Sequence, residues 1–130
     1  MTRVSDTITT QTLDLSEIYL PIKPELEQVK QILEREMSSR YPCVDEMTRY
    51  GRRLGGKRLR PALLLLTAKT VDKIHASHLT LGTVVEMIHT ATLVHDDVLD
   101  SASVRRYDET VNARWGNHQS ILLGDFLFSH

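Results

Sequence analysis

The chain has 130 residues and a mass of 14.8 kDa, enough for one hydrophobic core and too little for two ordinary domains. Hydrophobic residues make up 41% and charged residues 25%, a globular composition that excludes wholesale disorder and fibrous repeats. Sixteen Lys plus Arg against seventeen Asp plus Glu give a formal charge of -1, without the basic excess of a nucleic-acid footprint, so any phosphate binding must come from local clusters.

Residues 1 to 20 carry Asp6, Asp14 and Glu17 but only one basic residue, Arg3, and lack an apolar stretch. They fit neither a secretory signal nor a transit peptide, which predicts an irregular arm and a cytoplasmic location. Pro21 and Pro24 then introduce a helical domain over residues 21 to 130. From 24 to 40, Leu26, Val29, Ile32, Leu33 and Met37 recur at three- and four-residue steps, the pattern of an amphipathic helix. Pro42 is expected to end it, a short helical stretch to reach Leu54, and Gly55-Gly56 to form a turn. Cys43 has no second thiol for a disulfide or a paired metal site and reads as a structural thiol.

Residues 59 to 71 are mostly apolar with Pro61 near the start, which predicts a helix buried on most sides. Its run from 62 to 66 is the longest apolar stretch and falls far short of the roughly 20 residues that span a bilayer. Residues 78 to 101 contain no Pro and predict a long helix, against the weak opposition of the β-branched Thr80, Thr83, Val84, Val85 and Ile88. Residues 109 to 130 read as helical again and stop inside an apolar run without a cap or breaker, so the chain is expected to be a piece of a longer protein. Nothing alternates with period two over a useful length, and the predicted class is all-α.

Asp96, Asp97 and Asp100 stand in an otherwise apolar helix, between Val94 and Val98-Leu99. At 100° per residue Asp96 and Asp100 stack on one face a turn apart while Asp97 points aside. Hard oxygen donors at that spacing suit Mg²⁺, whose shell is completed by waters and substrate phosphates. A solvated acidic turn is the plain alternative, and the apolar neighbours argue against it. His89, almost two turns earlier, shares the face of Asp96; His95 does not. Gly55-Gly56-Lys57-Arg58-Leu59-Arg60-Pro61 places three cations at a helix N-terminus, where free amides already favour anions, and Arg105-Arg106 adds a second basic pair. Lysine offers a mobile point charge and arginine a fork that holds two phosphate oxygens. Carboxylates for a metal plus two basic sites in an apolar helical protein describe a diphosphate substrate with an apolar tail.

The basic heptapeptide, the stretch from Glu86 to Asp100 that ends in Asp-Asp-Val-Leu-Asp, Arg105-Arg106 and Gly124-Asp125-Phe126-Leu127 together resemble the trans-isoprenyl (polyprenyl) diphosphate synthase family. The resemblance covers about residues 20 to 130 and implies an antiparallel helical bundle of the isoprenoid synthase type around a deep cavity, usually a homodimer. It implies Mg²⁺-dependent condensation of isopentenyl diphosphate with an allylic diphosphate, and a product that draws the enzyme to membranes without a membrane span. By position, Asp96 and Asp100 would hold Mg²⁺ on the allylic diphosphate with Asp97 supporting. Arg105 would contact that diphosphate, and Lys57, Arg60, His89 and Arg106 would hold isopentenyl diphosphate. Tyr107 departs from the Gly that many members carry there, and Ser101 from a frequent acidic residue. The family's second aspartate-rich motif would lie beyond residue 130. Ala91 and Thr92, about 7.5 Å below Asp96 along the axis, are small where bulkier residues in the family stop elongation, which implies a medium- or long-chain product. Two rivals stay open: a His-Asp metal phosphohydrolase using His89 and His95-Asp96, and a non-catalytic subunit of a heteromeric synthase.

Overall fold

The structure, a computed structural model, describes residues 14–54 and 56–130. It contains seven α-helices, α1 Leu15–Tyr19, α2 Lys23–Glu36, α3 Pro42–Leu54, α4 Leu59–Val71, α5 Ala76–Leu99, α6 Val111–Trp115 and α7 Asn117–Phe128, with one 3₁₀ turn, Leu20–Ile22. The fold is all-α apart from one small ribbon, in which β1 (Val104–Arg105) pairs antiparallel with β2 (Asp108–Glu109).

Local chemistry sets most boundaries. Asp14 caps α1, accepting bonds from the Ser16 amide and hydroxyl, and these bonds hold its carboxyl below the usual aspartate range. The predicted irregular arm is therefore helical at residues 15–22, while residues 1–13 lie outside the described residues. Pro42 does not terminate the preceding helix, which has already stopped at Met37; it opens α3, where its missing amide costs nothing. Gly55, half of the predicted glycine turn, is outside the described residues.

The core forms around α5, which packs against α2 and α4 on one side and α7 on the other. Val29, Leu33 and Met37 bury the predicted stripe of α2, joined by Ile22, Leu65, Met87, Ala91, Val94, Val111, Leu123 and Leu127. The β-branched residues do not break α5; the buried hydroxyls of Thr83 and Thr90 are satisfied within it, each donating to the carbonyl four residues back. The expectation that α4 is enclosed is not met: Pro61, Ala62 and Leu65 are buried, while Leu63 is 68% and Val71 84% exposed. The uncovered side of α4 continues onto Leu81, Val84 and Ile88 of α5, and between the two helices runs an apolar groove of about 550 Å³ lined by Leu63, Leu64, Thr67, Ala68, Leu81 and Val85.

The helical segment predicted from residue 109 starts later, at Val111, and is interrupted once. The ribbon occupies residues 108–109, and Gly116, at φ 93°, separates α6 from α7. Thr110 is fully buried; its hydroxyl accepts from the Ala113 amide as cap of α6 and donates to the Ala102 carbonyl at 2.8 Å. Asn112 donates to the same carbonyl at 3.0 Å, and Tyr50 of α3 donates to the Glu109 carbonyl at 2.8 Å. These bonds fasten the loop after α5 to the body. Thr110→Val keeps the shape but removes the cap and leaves polar groups unpaired, so it should lower unfolding stability by about 2 kcal/mol in urea titration.

Candidate active site

Asp96 and Asp100 occupy the last turn of α5, with the Asp100 amide donating to the Asp96 carbonyl at 2.8 Å. Both are exposed, and among the described residues neither carboxylate has a hydrogen-bond or ion-pair partner. They stand at the negative end of a 24-residue helix, where the helix dipole disfavours anions and favours cations. Two uncompensated hard-oxygen donors on one face fit a divalent cation that keeps several waters. Among the described residues no group of three or more His, Cys, Asp or Glu side chains converges as a metal cage, so the fit is to two carboxylates and the ligand's own oxygens.

Asp97 points the other way, as its helical angle predicts. It is 3% exposed and receives a forked contact from Arg105, Nη2 to Oδ1 at 2.7 Å and Nε to Oδ2 at 3.2 Å. Hydrogen bonding to Asp97 raises the Arg105 pKa above its usual value, against desolvation and with help from the Asp96 and Asp100 charges. The pair occupies two of the five guanidinium N–H donors and leaves the rest for a ligand.

The basic residues converge on His89. Burial first, and then the charges of Arg60, Arg105 and Arg106, push its imidazole below the usual histidine range. Arg60, Arg106 and Lys57 are exposed, and among the described residues none is paired with a carboxylate. Gly56 lets two distant basic segments meet: a Cβ there would lie 2.6 Å from Arg106 Nη1, so a larger residue would push the guanidinium out of this position. Arg106 and Tyr107, at φ 52° and 71°, are the two central residues of the β1–β2 turn. A two-residue hairpin requires positive φ at both positions, which is why glycine suits the position of Tyr107. Ser101, at φ 52°, lies in the same loop.

His95 does not join the site. Its Nε2 lies 3.1 Å from the Ile121 carbonyl and 3.6 Å from Asp125 of α7, and a Cβ on Gly124 would fall 2.1 Å from that nitrogen. His89 and His95 face different elements, so the imidazole pair that a His-Asp phosphohydrolase needs does not assemble. Ala91 is also placed differently from expectation, because it is fully buried in the core; the half-exposed side chain beneath Asp96 is Thr92. One functional candidate was missed altogether. Glu86, one turn below His89, is 7% exposed, and burial raises its pKa while Arg60 and Arg58 oppose the rise. The signal available was an acidic residue on the His89 side of an apolar helix.

The His89 shift sets a pH dependence. Its folded pKa is depressed, so its contribution is present above about pH 6.5 and lost as pH falls through the folded value, where the unfolded chain binds the extra proton. His89→Gln should therefore lose less unfolding stability than the wild type between about pH 7 and pH 5, measured by urea titration at each pH.

A polyprenyl synthetase family model matches residues 41–130. The chain is 36% identical over 117 residues to octaprenyl diphosphate synthase of Haemophilus influenzae, covering 90% of this chain and 36% of that protein. Among solved structures, decaprenyl diphosphate synthase from Rhodobacter capsulatus superposes with TM-score 0.84 at 38% identity, covering 89% of this chain and 36% of the other. Polyprenyl synthase from Caulobacter crescentus CB15, complexed with calcium and isoprenyl diphosphate, gives TM-score 0.83 at 32% identity, covering 89% and 35%. The chain thus spans about a third of the length of the relatives it matches. With a matched model over most of its length and the same helical arrangement, the chain belongs to the polyprenyl synthetase family.

Proposed function

We propose that this chain is part of an enzyme that condenses isopentenyl diphosphate with an allylic diphosphate and releases a medium- or long-chain all-trans polyprenyl diphosphate. The observation that carries this reading is the separation of charge at one end of α5: two carboxylates, Asp96 and Asp100, without a partner among the described residues, and a basic side on which Arg105 is held by Asp97 and Arg106 meets Gly56 of the Lys57–Arg60 turn. A diphosphate bridging a cation to guanidinium groups neutralises both halves. The octaprenyl and decaprenyl synthases among its relatives support the product class, and the calcium and isoprenyl diphosphate bound to the Caulobacter protein support the ligand class.

Asp96 and Asp100 would hold Mg²⁺, which when bound supplies positive charge to the diphosphate leaving the allylic carbon. Arg105, oriented by Asp97, would donate its remaining N–H groups to the same diphosphate as negative charge develops on it. Lys57, Arg60 and Arg106 would clamp the diphosphate of the second substrate, and His89 would donate a hydrogen bond to it. This holds the double bond of isopentenyl diphosphate toward the allylic carbon. No protein nucleophile is needed, and the proton lost from the condensed product would pass to the released diphosphate. The apolar groove between α4 and α5 offers the tail a dry path. The exposed Ile121, Leu122 and Phe128 of α7 support a homodimer. No helix among the described residues is long and apolar enough to cross a membrane, which supports an enzyme that works in the cytoplasm and reaches membranes through its product.

The test uses the full-length protein with isopentenyl diphosphate, an allylic primer and Mg²⁺, followed by chromatography of the products. Asp96→Asn and Asp100→Asn should each lower turnover about a hundredfold or more with an unchanged circular dichroism spectrum. Near-normal turnover in both variants would overturn the metal assignment, and absence of condensation in the wild type would overturn the enzyme reading.

A further inference from the structure

The basic turn is held from two sides by residues outside the proposed substrate contacts. Tyr19, the last residue of α1, donates its hydroxyl to the Lys57 carbonyl at 3.0 Å, across 38 residues of chain. The next residue, Arg58, adopts φ 52° and ψ 41° and begins α4 without a side-chain cap. A left-handed arginine carries a steric penalty and persists only where its surroundings fix the backbone. From below, Glu86 of α5 presents a nearly buried carboxylate, one oxygen of which has no hydrogen-bond partner. It lines one cavity with Gly56 and Arg58 of the turn. Arg58 thus shares one cavity with Tyr19 and another with Glu86. Since α1 has no fully buried residue of its own, its place is not explained by core packing. It is anchored at one end by the Asp14 cap and at the other by the buried Ile22 and by Lys69, which donates to the Pro21 carbonyl. Both anchors keep Tyr19 aimed at the turn.

We propose that Tyr19 and Glu86 are positioning residues for the basic turn: the Tyr19 hydroxyl fixes the Lys57–Arg58 peptide and the buried Glu86 carboxylate faces Arg58 across the cavity that both line, so that Lys57 and Arg60 meet a diphosphate already oriented. A carboxylate buried beside cations repays its desolvation only through them, and an oriented fork loses less freedom when it binds phosphate. The ligand's identity as isopentenyl diphosphate rests on the function proposed above; the positioning itself does not.

The experiment compares full-length wild type, Tyr19→Phe and Glu86→Gln. Calorimetry with inorganic diphosphate in EDTA reads the basic turn without the metal-dependent site, and steady-state kinetics give KM for each substrate. Tyr19→Phe should weaken diphosphate about fivefold, the worth of one neutral hydrogen bond, and Glu86→Gln about tenfold, for the loss of the buried charge that faces Arg58. KM for isopentenyl diphosphate should rise by the same factors, with kcat, the allylic KM and the melting temperature unchanged, and Glu86→Asp should recover part of the loss. Equal rises in both KM values, a binding loss that follows a fall in melting temperature, or unaltered diphosphate affinity in Tyr19→Phe would each overturn the proposal, as would a wild type that binds no diphosphate. If the wild type binds diphosphate but makes no product, the functional reading fails and the calorimetry alone decides the positioning.

Discussion

The contact on which the site depends is the ion pair between Asp97 and Arg105. Asp97 sits in an apolar helix at 3% exposure, where an unpaired carboxylate would cost several kcal/mol, and removal of one partner of such a pair typically costs about 3–5 kcal/mol. Arg105 meets that demand with two N–H groups and in doing so ties β1 to the end of α5. The ribbon then turns at Arg106 and Tyr107 and delivers the Arg106 guanidinium onto Gly56. Two basic segments far apart in sequence become one cluster because a buried aspartate required a fork-shaped partner.

The same pairing leaves charge uncompensated elsewhere. With Asp97 claiming Arg105, Asp96 and Asp100 have no ion-pair partner among the described residues, and they stand where the dipole of α5 already disfavours them. Opposite them, burial first and then the charges of Arg60, Arg105 and Arg106 hold the His89 pKa below its usual range. An arrangement that keeps two like-charged groups side by side is costly for the free protein, and a metal-diphosphate ligand relieves both halves at once. Backbone strain follows the same distribution: the non-glycine residues with positive φ are Arg58, Ser101, Arg106 and Tyr107 among the described residues, all in the turns that carry or adjoin the basic groups, as expected where function over-determines local geometry.

Steric complementarity fixes the other flank. His95 uses its nitrogen to reach the Ile121 carbonyl across a space that only Gly124 leaves open. The imidazole beside the acidic motif is thereby committed to helix packing and does not join Asp96 and Asp100. The open apolar groove between α4 and α5 completes the arrangement, because it begins at Arg60 and runs away from the charged end.

The sequence by itself determined the helical class, the stripe of α2, the i, i+4 geometry of Asp96 and Asp100 with Asp97 turned aside, and the two basic segments. These follow from the 3.6-residue period, from capping chemistry and from motifs contiguous in the chain. Only the tertiary structure decided the rest. The helical nature of residues 15–22 depends on an aspartate cap and a distant tether through Tyr19, and no periodicity marks either. The exposure of α4 depends on what lies beside it, whereas composition reports only that it is apolar. Ala91 faces the core and Thr92 the open side because the rotation of α5 is set by α2, α4 and α7 packing around it. The role of Glu86, the commitment of Asp97 to Arg105 and the meeting of Arg106 with Gly56 are long-range contacts between charges and backbone, and such contacts follow from the packing of helices, which no local pattern of residues specifies.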